Sequence, residues 1–276
     1  MRTYGSFATA IASVSNQMRD ASFEVNGLKW QSIDVSTKPE MKMRECLNVS
    51  FQVNTQGIDA WSHYHNDIKP NWPWAEDHFQ ERVAGEPLNP GEQWKNWPWA
   101  LSADKFRTEG EKFSHTYMER YWPKLAGDDE HSTKGFLRGI RYPYGDLNDV
   151  VNHLLGDPLT RQAYLPVWFP EDTGVVHGER VPCSLGYHWI LRNGYLHTTY
   201  YIRSCDFFRH FRDDLYLSIR LSIWLLRQLQ ETEQESDHRR WNDVKLGFFT
   251  FHCVSLHMFI NDWNRLYGKA SPQDSR

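Results

Sequence analysis

Three short stretches carry residue types that fit one chemistry. Cys183 follows a proline in "VPCS", Arg203 and Ser204 stand side by side in "YIRSCD", and Asp213 and Asp214 follow in "FRDD". An arginine beside a hydroxyl suits a phosphate, because a charged fork and a neutral donor can share its oxygens. A thiolate is the strongest nucleophile among these groups, and a nearby guanidinium favours it over the thiol. Together they fit addition of Cys183 to an electrophilic carbon of a ring whose attached phosphate is held by Arg203 and Ser204. Taken alone, Cys183 has a plainer reading as a buried strand cysteine, and the acidic pair as an N-cap and dipole partner of the helix that follows.

The local pattern defines the elements that must position these residues. "SLGYHWILRNGYLHTTYYIR" reads as two strands around Asn193-Gly194, the strongest short hairpin signal available. A two-residue turn there pairs positions symmetrically and sets Cys183 opposite Ser204. "DLYLSIRLSIWLLRQLQETEQ" has the spacing of a long amphipathic helix starting near Leu215, and "NDVVNHLLGDP" that of a short helix closed by Gly156 and Pro158. "AYLPVWF" reads as a strand, "GFFTFHCVSLHMFINDWNRLYG" as a strand running into a helix, and "SADKFRTEGEKFSHTYMERYW" as a helical stretch with a Ser cap. Residues 1–60 offer few signals and 61–130 are rich in Trp and Pro. The expected class is α+β in a single domain over 1–276, with strands clustered in the second half.

Bulk properties exclude several classes. The chain has 276 residues, 40% of them apolar, enough for a real core. A net charge of −4 argues against a surface built for nucleic acid, and no apolar run reaches the length of a membrane span. A cytoplasmic protein is expected. The four cysteines (Cys46, Cys183, Cys205, Cys253) are scattered, with no C-x-x-C, so neither a disulfide framework nor a zinc knuckle is suggested. N-W-P-W occurs twice, at Asn71–Trp74 and Asn96–Trp99, without a fixed period, which points to local packing. His63, His65 and Asp67 in "HYHND" have a spacing that can hold a metal from one strand face, but such spacing is common by chance, and no metal is expected.

As a set, the motifs resemble the thymidylate synthase superfamily. "VPCSLGYHWILRNGYLHTTYYIRSCDFF" is similar to its nucleophile strand, hairpin and R-S-x-D phosphate motif, with the family's spacing from Cys183 to Arg203. "LLGDPLTRQ" resembles D-P-x-S-R-R, and "VSLHMF" resembles the H-x-Y that holds the nucleotide sugar. The likeness covers 135–265 well and the first half poorly. It implies a twisted, mostly antiparallel sheet packed against helices and a homodimer formed through that sheet. It implies Arg161 reaching a partner's phosphate, Arg203 and Ser204 on the phosphate, His257 and Phe259 at the sugar, and Asp206, Trp97 and Tyr144 at the folate. The catalytic set it implies is Cys183 as nucleophile and Glu76 of "AEDHFQ" as proton relay, with Glu81 as rival.

The departures are informative. Gln162 stands where a second arginine is usual, Ser184 replaces a histidine, Ile202 a glutamine and Phe259 a tyrosine. Asp214 stands where uracil-reading members carry asparagine. A carboxylate would face uracil O4 with like-sign charge, whereas it accepts from the 4-amino group of cytosine and can share a proton with N3. The same change characterises the deoxycytidylate hydroxymethylases of the superfamily. The resemblance therefore implies one-carbon transfer from 5,10-methylenetetrahydrofolate to C5 of dCMP, with water addition giving the hydroxymethyl product. A CMP hydroxymethylase of nucleoside-antibiotic type, a dCMP or dUMP methyltransferase, and a binding protein without turnover are the alternatives.

Overall fold

The structure, a computed structural model, describes residues 1–30, 33–107, 111–126, 145–173, 180–234 and 240–268. Its centre is a seven-stranded sheet built from β1 (Arg2–Tyr4), β2 (Phe23–Val25), β3 (Met43–Asn54), β4 (Tyr164–Pro166), β5 (Ser184–Arg192), β6 (Tyr195–Asp206) and β7 (Lys245–Phe259). The spatial order is β1-β3-β7-β6-β5-β4, with β2 beside β3. The β1–β3 and β6–β7 pairs are parallel and the others antiparallel, as the α+β reading expects.

β3 corrects the expectation that strands cluster in the second half. It pairs along β7 from Met43↔Phe259 to Asn54↔Phe248. Its buried positions, Cys46, Val49, Phe51 and Val53, do not alternate cleanly, because Asn48 takes a left-handed φ of 53° and shifts the inward face by one residue. A strand that changes face midway loses the period of two by which a strand is recognised.

The hairpin forms where its turn residues place it. Asn193 (φ 51°) and Gly194 (φ 76°) are both left-handed, as a type I′ turn requires. Pairing is symmetric from Arg192↔Tyr195 to Gly186↔Tyr201 and then slips at a bulge, so that Ser184 meets Ile202. Gly186 is needed beside that bulge, since a Cβ there would come within 2.6 Å of the Leu165 carbonyl oxygen. The slip moves Cys183 one position: it faces Arg203, whose N–H donates to the Cys183 carbonyl at 2.9 Å, and not Ser204.

The helices that concern the site are α1 (Phe7–Ala21), α2 (Trp61–Ile68), α3 (Trp74–Val83), α4 (Tyr117–Tyr121), α5 (Leu147–Gly156), α6 (Phe211–Gln234) and α7 (Ile260–Tyr267). The expected amphipathic helix is α6, but Leu215 to Ile223 is buried on every side, because α2, α3 and α5 cover the face turned away from the sheet. Each of its Leu and Ile side chains contributes about 1.5–3 kcal/mol relative to exposure. α6 also starts at Phe211, four residues earlier than expected, so Asp213 and Asp214 lie in its first turn and do not precede it. The helical stretch expected over "SADKF…RYW" is broken: Arg107 bridges to Phe113, and α4 begins afresh after a Thr116–Glu119 capping box.

Candidate active site

Three elements converge on Cys183. β5 carries it at its head, β6 brings Arg203 beside it, and α6 brings Asp214 from behind the sheet. Arg203 is tied to its own hairpin, its Nε donating to the Pro182 carbonyl at 2.8 Å and its Nη2 to the Val181 carbonyl at 3.1 Å. Burial pushes the Cys183 thiol above its ordinary pKa, and the guanidinium groups of Arg203 and Arg180 only partly offset that. The expected net lowering of the thiol by positive charge is therefore corrected: in this protein alone, desolvation wins.

Ser184, the residue after the nucleophile, opens a hydroxyl network that the sequence did not disclose. Its Oγ lies 3.1 Å from Tyr117 Oη and 2.6 Å from Tyr200 Oη. Tyr117 is placed by the capping box, which sets it at the first position of α4. That T-x-x-E pattern is in the sequence and marks the helix start; reading one long helix over it hid the tyrosine.

Asp214 is partly buried, and its Oδ2 lies 3.4 Å from Cys205 Sγ. Burial raises its pKa to about 7, against the lowering effect of Arg82. Its neighbour Asp213 turns the other way. Asn71 donates to it twice, from N at 2.8 Å and Nδ2 at 2.7 Å, and Trp97 Nε1 lies 3.4 Å away. Asp213 therefore clasps both N-W-P-W segments, which explains them as packing. It does not act as the cap of α6.

The remaining expected ligands distribute as follows. Ser204 Oγ lies 3.4 Å from His257 Nδ1, and burial lowers His257 to about 4. The Phe259 ring stands edge-on to His257 at 6.3 Å, with the Arg209 guanidinium 4.8 Å above it. Asp206 accepts from the N–H groups of Phe208 and Arg209 at 2.9 and 3.0 Å, and burial raises it to about 6. Trp97 stacks on His210 at 4.5 Å. Arg161 is exposed on the loop before β4. Tyr144 lies outside the described residues.

Glu76 is held by side chains of α3 and α6. Its carboxylate accepts from Arg220 at 2.7 and 2.8 Å, from Tyr216 at 2.7 Å and from Gln80 at 2.7 Å. Burial alone would push it up, but these bonds outweigh it and hold it below the ordinary carboxylate range. With four donors the carboxylate has no acceptor direction left for a water proton in this structure, and it ties α3 to α6. Glu81 is similarly engaged, accepting from the N–H of Glu92, at 2.5 Å, and from His78 Nδ1, at 3.2 Å. His63, His65 and Asp67 lie on α2 and not on a strand, and Asp67 caps α1 by accepting from Phe7 N and Ala8 N at 2.6 and 3.1 Å. Among the described residues no three metal-binding side chains gather.

Sequence comparisons give no match, either to a protein-family model or to a curated protein. The fold does match: a thermostable thymidylate synthase A from Bacillus subtilis superposes with a TM-score of 0.58 at 14% identity, over 94% of this chain and 80% of that one. The α+β architecture is therefore that of thymidylate synthase. Among the described residues no helix is long and apolar enough to cross a membrane.

Proposed function

We propose that the protein transfers a one-carbon unit to C5 of a cytidine monophosphate, dCMP first, and hydrates the product to the hydroxymethyl nucleotide. The observation that carries this reading is Asp214: a partly buried carboxyl raised to about 7 by desolvation, on the same cluster as Cys183 and Arg203. A carboxyl that is protonated in about half of the molecules at neutral pH can accept from the 4-amino group of cytosine with one oxygen and share its proton with N3 through the other.

The residues then take these parts. Arg203 and Ser204 hold the phosphate, joined by Arg161 of a second copy in a homodimer, and His257 and Phe259 border the sugar. A phosphate oxygen held beside Arg203 takes the proton of Cys183, and the thiolate forms the Sγ–C6 bond. Electrons of C5=C6 shift toward N3, which takes the proton of Asp214, and C5 becomes nucleophilic. The donor set fits a flat heteroaromatic ring: a raised carboxyl at Asp206 beside an aromatic wall of Trp97, Trp99 and Phe208. Bound methylenetetrahydrofolate would supply the one-carbon unit there.

Release of the C5 hydrogen from labelled dCMP, with and without methylenetetrahydrofolate, tests the reading, and mass analysis of the product distinguishes hydroxymethyl from methyl. Release from dUMP alone would replace the cytidylate reading with a uridylate one. Nucleotide binding without release would leave a binding protein.

A further inference from the structure

Three arginines are almost fully buried among the described residues: Arg82, Arg120 and Arg220, at 5–6% exposure. Two have carboxylate partners in bidentate geometry. Arg120 donates to Asp172 at 2.8 and 3.1 Å, and Arg220 to Glu76 at 2.7 and 2.8 Å. Arg82 has none. Its guanidinium makes one hydrogen bond, from Nε to His78 Nε2 at 3.0 Å, and its two terminal nitrogens make none. These terminal nitrogens are not among the sealed unpaired polar atoms, so they keep some access to solvent and stay available to a negative charge that forms beside them.

Its surroundings say what that is. The guanidinium lies 4.1 Å over the Tyr117 ring, the same tyrosine whose hydroxyl reaches Ser184 beside Cys183. His78 is itself fixed: it stacks on Trp74 at 5.0 Å, and its Nδ1 faces Glu81. Because Nε2 accepts from Arg82, Nδ1 carries the hydrogen and donates to Glu81, so Glu81, His78 and Arg82 form a directed chain. Two carboxyl groups feel its charge, Asp213 and Asp214; Asp213 is taken up by Asn71 and Trp97, which leaves Asp214, and among the described residues no ion pair joins it to Arg82. The other ionisable groups around Asp214 include Asp213 on α6, Asp206, Cys205 and Tyr200 on β6, Cys253 on β7, Tyr117 on α4 and Cys183. None of them is a cation.

We propose that Arg82 is the counter-charge held in reserve for Asp214: when Cys183 bonds to C6 and the Asp214 proton passes to N3, the guanidinium meets the carboxylate left behind. The atoms and charge balance without a further reactant. The inference rests on the cytidylate reading for the identity of the ring. The pairing of Arg82 with ionised Asp214 does not need that reading. Arg82 then acts electrostatically on the addition step, and Glu81 and His78 are positioning residues that keep its fork aimed.

Two measurements on Arg82→Gln, which keeps the stem and a donor toward His78, test this. The first is the pH midpoint of the protonated-carboxyl infrared band that Asp214→Asn abolishes; loss of Arg82 should move it to higher pH. The second is C5-hydrogen release from dCMP, which should fall by about 100-fold or more, with dCMP affinity kept within tenfold. Arg82→Ala should be partly rescued by methylguanidine, and Arg120→Ala should not. An unmoved carboxyl midpoint, or unchanged release in a folded Arg82→Gln protein, overturns the role of Arg82. Absent release in the wild type, with the midpoint shifted as expected, overturns the cytidylate reading and leaves the Arg82–Asp214 pairing standing.

Discussion

Glu76 on α3 and Asp214 on α6 are carboxyl groups of two helices packed on each other, and they have opposite fates. Glu76 meets a guanidinium, a phenol and an amide, and is held ionised. Asp214, six residues before Arg220 on the same helix, meets a single thiol and is pushed toward the neutral form by burial. The same division separates Arg220 from Arg82. One pair of charges is closed, and its interactions are spent on holding helices together. The other is open, and its interactions remain available to a ligand. A perturbed carboxyl that lacks partners is therefore a better pointer to chemistry than a carboxyl in the expected motif position.

The largest effect expected of any single change at the open cluster is at Cys183. Cys183→Ser should abolish C5-hydrogen release while leaving nucleotide affinity within about tenfold, roughly 1.4 kcal/mol, because the thiol acts in the covalent step and not in recognition. Calorimetric titration with dCMP beside the release assay measures both. Surviving turnover would place the nucleophile elsewhere. Cys205→Ala and Cys253→Ala should keep most of the activity.

Base choice sharpens the contrast next. Asp214→Asn should lose most release from dCMP and gain release from dUMP, a reversal on the order of 100-fold in kcat/KM or ~3 kcal/mol. In the wild type, release from dCMP should fall as pH rises from 6 to 8, since only the protonated carboxyl has a hydrogen for N3 and its pKa is about 7. Asp213→Asn should leave base choice unchanged, because Asp213 holds Asn71 and Trp97. If it is Asp213→Asn that switches the base, the carboxyl identified here is the wrong one.

The closed pair supplies the complementary prediction. Glu76→Gln strands the buried Arg220, and breaking such a pair costs about 3 kcal/mol, the low end of the range because Glu76 is 15% exposed. Chemical denaturation should register that loss, while C5-hydrogen release per folded molecule stays within a few fold. A stable Glu76→Gln protein with no release would restore Glu76 as the relay.

How much of this was legible beforehand follows from where the information sits. The hairpin, α5, the later part of α6 and β7 were readable because local period, Asn193-Gly194 and the Gly156 stop act over a few residues. Cys183, Arg203, Ser204 and Asp214 were readable as types at fixed spacings. The saturation of Glu76 by Arg220, Tyr216 and Gln80 was not readable, because it depends on how α3 meets α6, more than a hundred residues away in the chain. Arg82 and Tyr117 were missed for the same reason. "ERV" gives no local sign that its arginine lacks a partner, and only a comparison of all three buried arginines shows it. The register error at Cys183 came from one bulged residue, whose sign was Gly186, a glycine inside an otherwise continuous strand pattern.

The smallest expected effect lies in stability against pH, and it tests whether Asp214 is open even without ligand. An unfolded aspartate titrates near 3.9, and in the folded protein burial raises Asp214 to about 7. Between those values the folded state holds the extra proton, so this group's contribution falls as pH rises and is fully lost by about pH 8. Three units set an upper limit of ~4 kcal/mol, and hydration of the cleft reduces the expected loss to about 2 kcal/mol. Glu119 and Asp206, raised by burial to about 7 and 6, slope the same way, so the wild-type curve alone is ambiguous. The difference between Asp214→Asn and wild type isolates the group: the amide cannot ionise, and the variant should gain on the wild type by about 2 kcal/mol from pH 5 to pH 8 in denaturant unfolding. Parallel curves would mean that Asp214 is ionised in the resting fold, already paired with Arg82 by a closure of the cleft, and that it has no proton to give to N3.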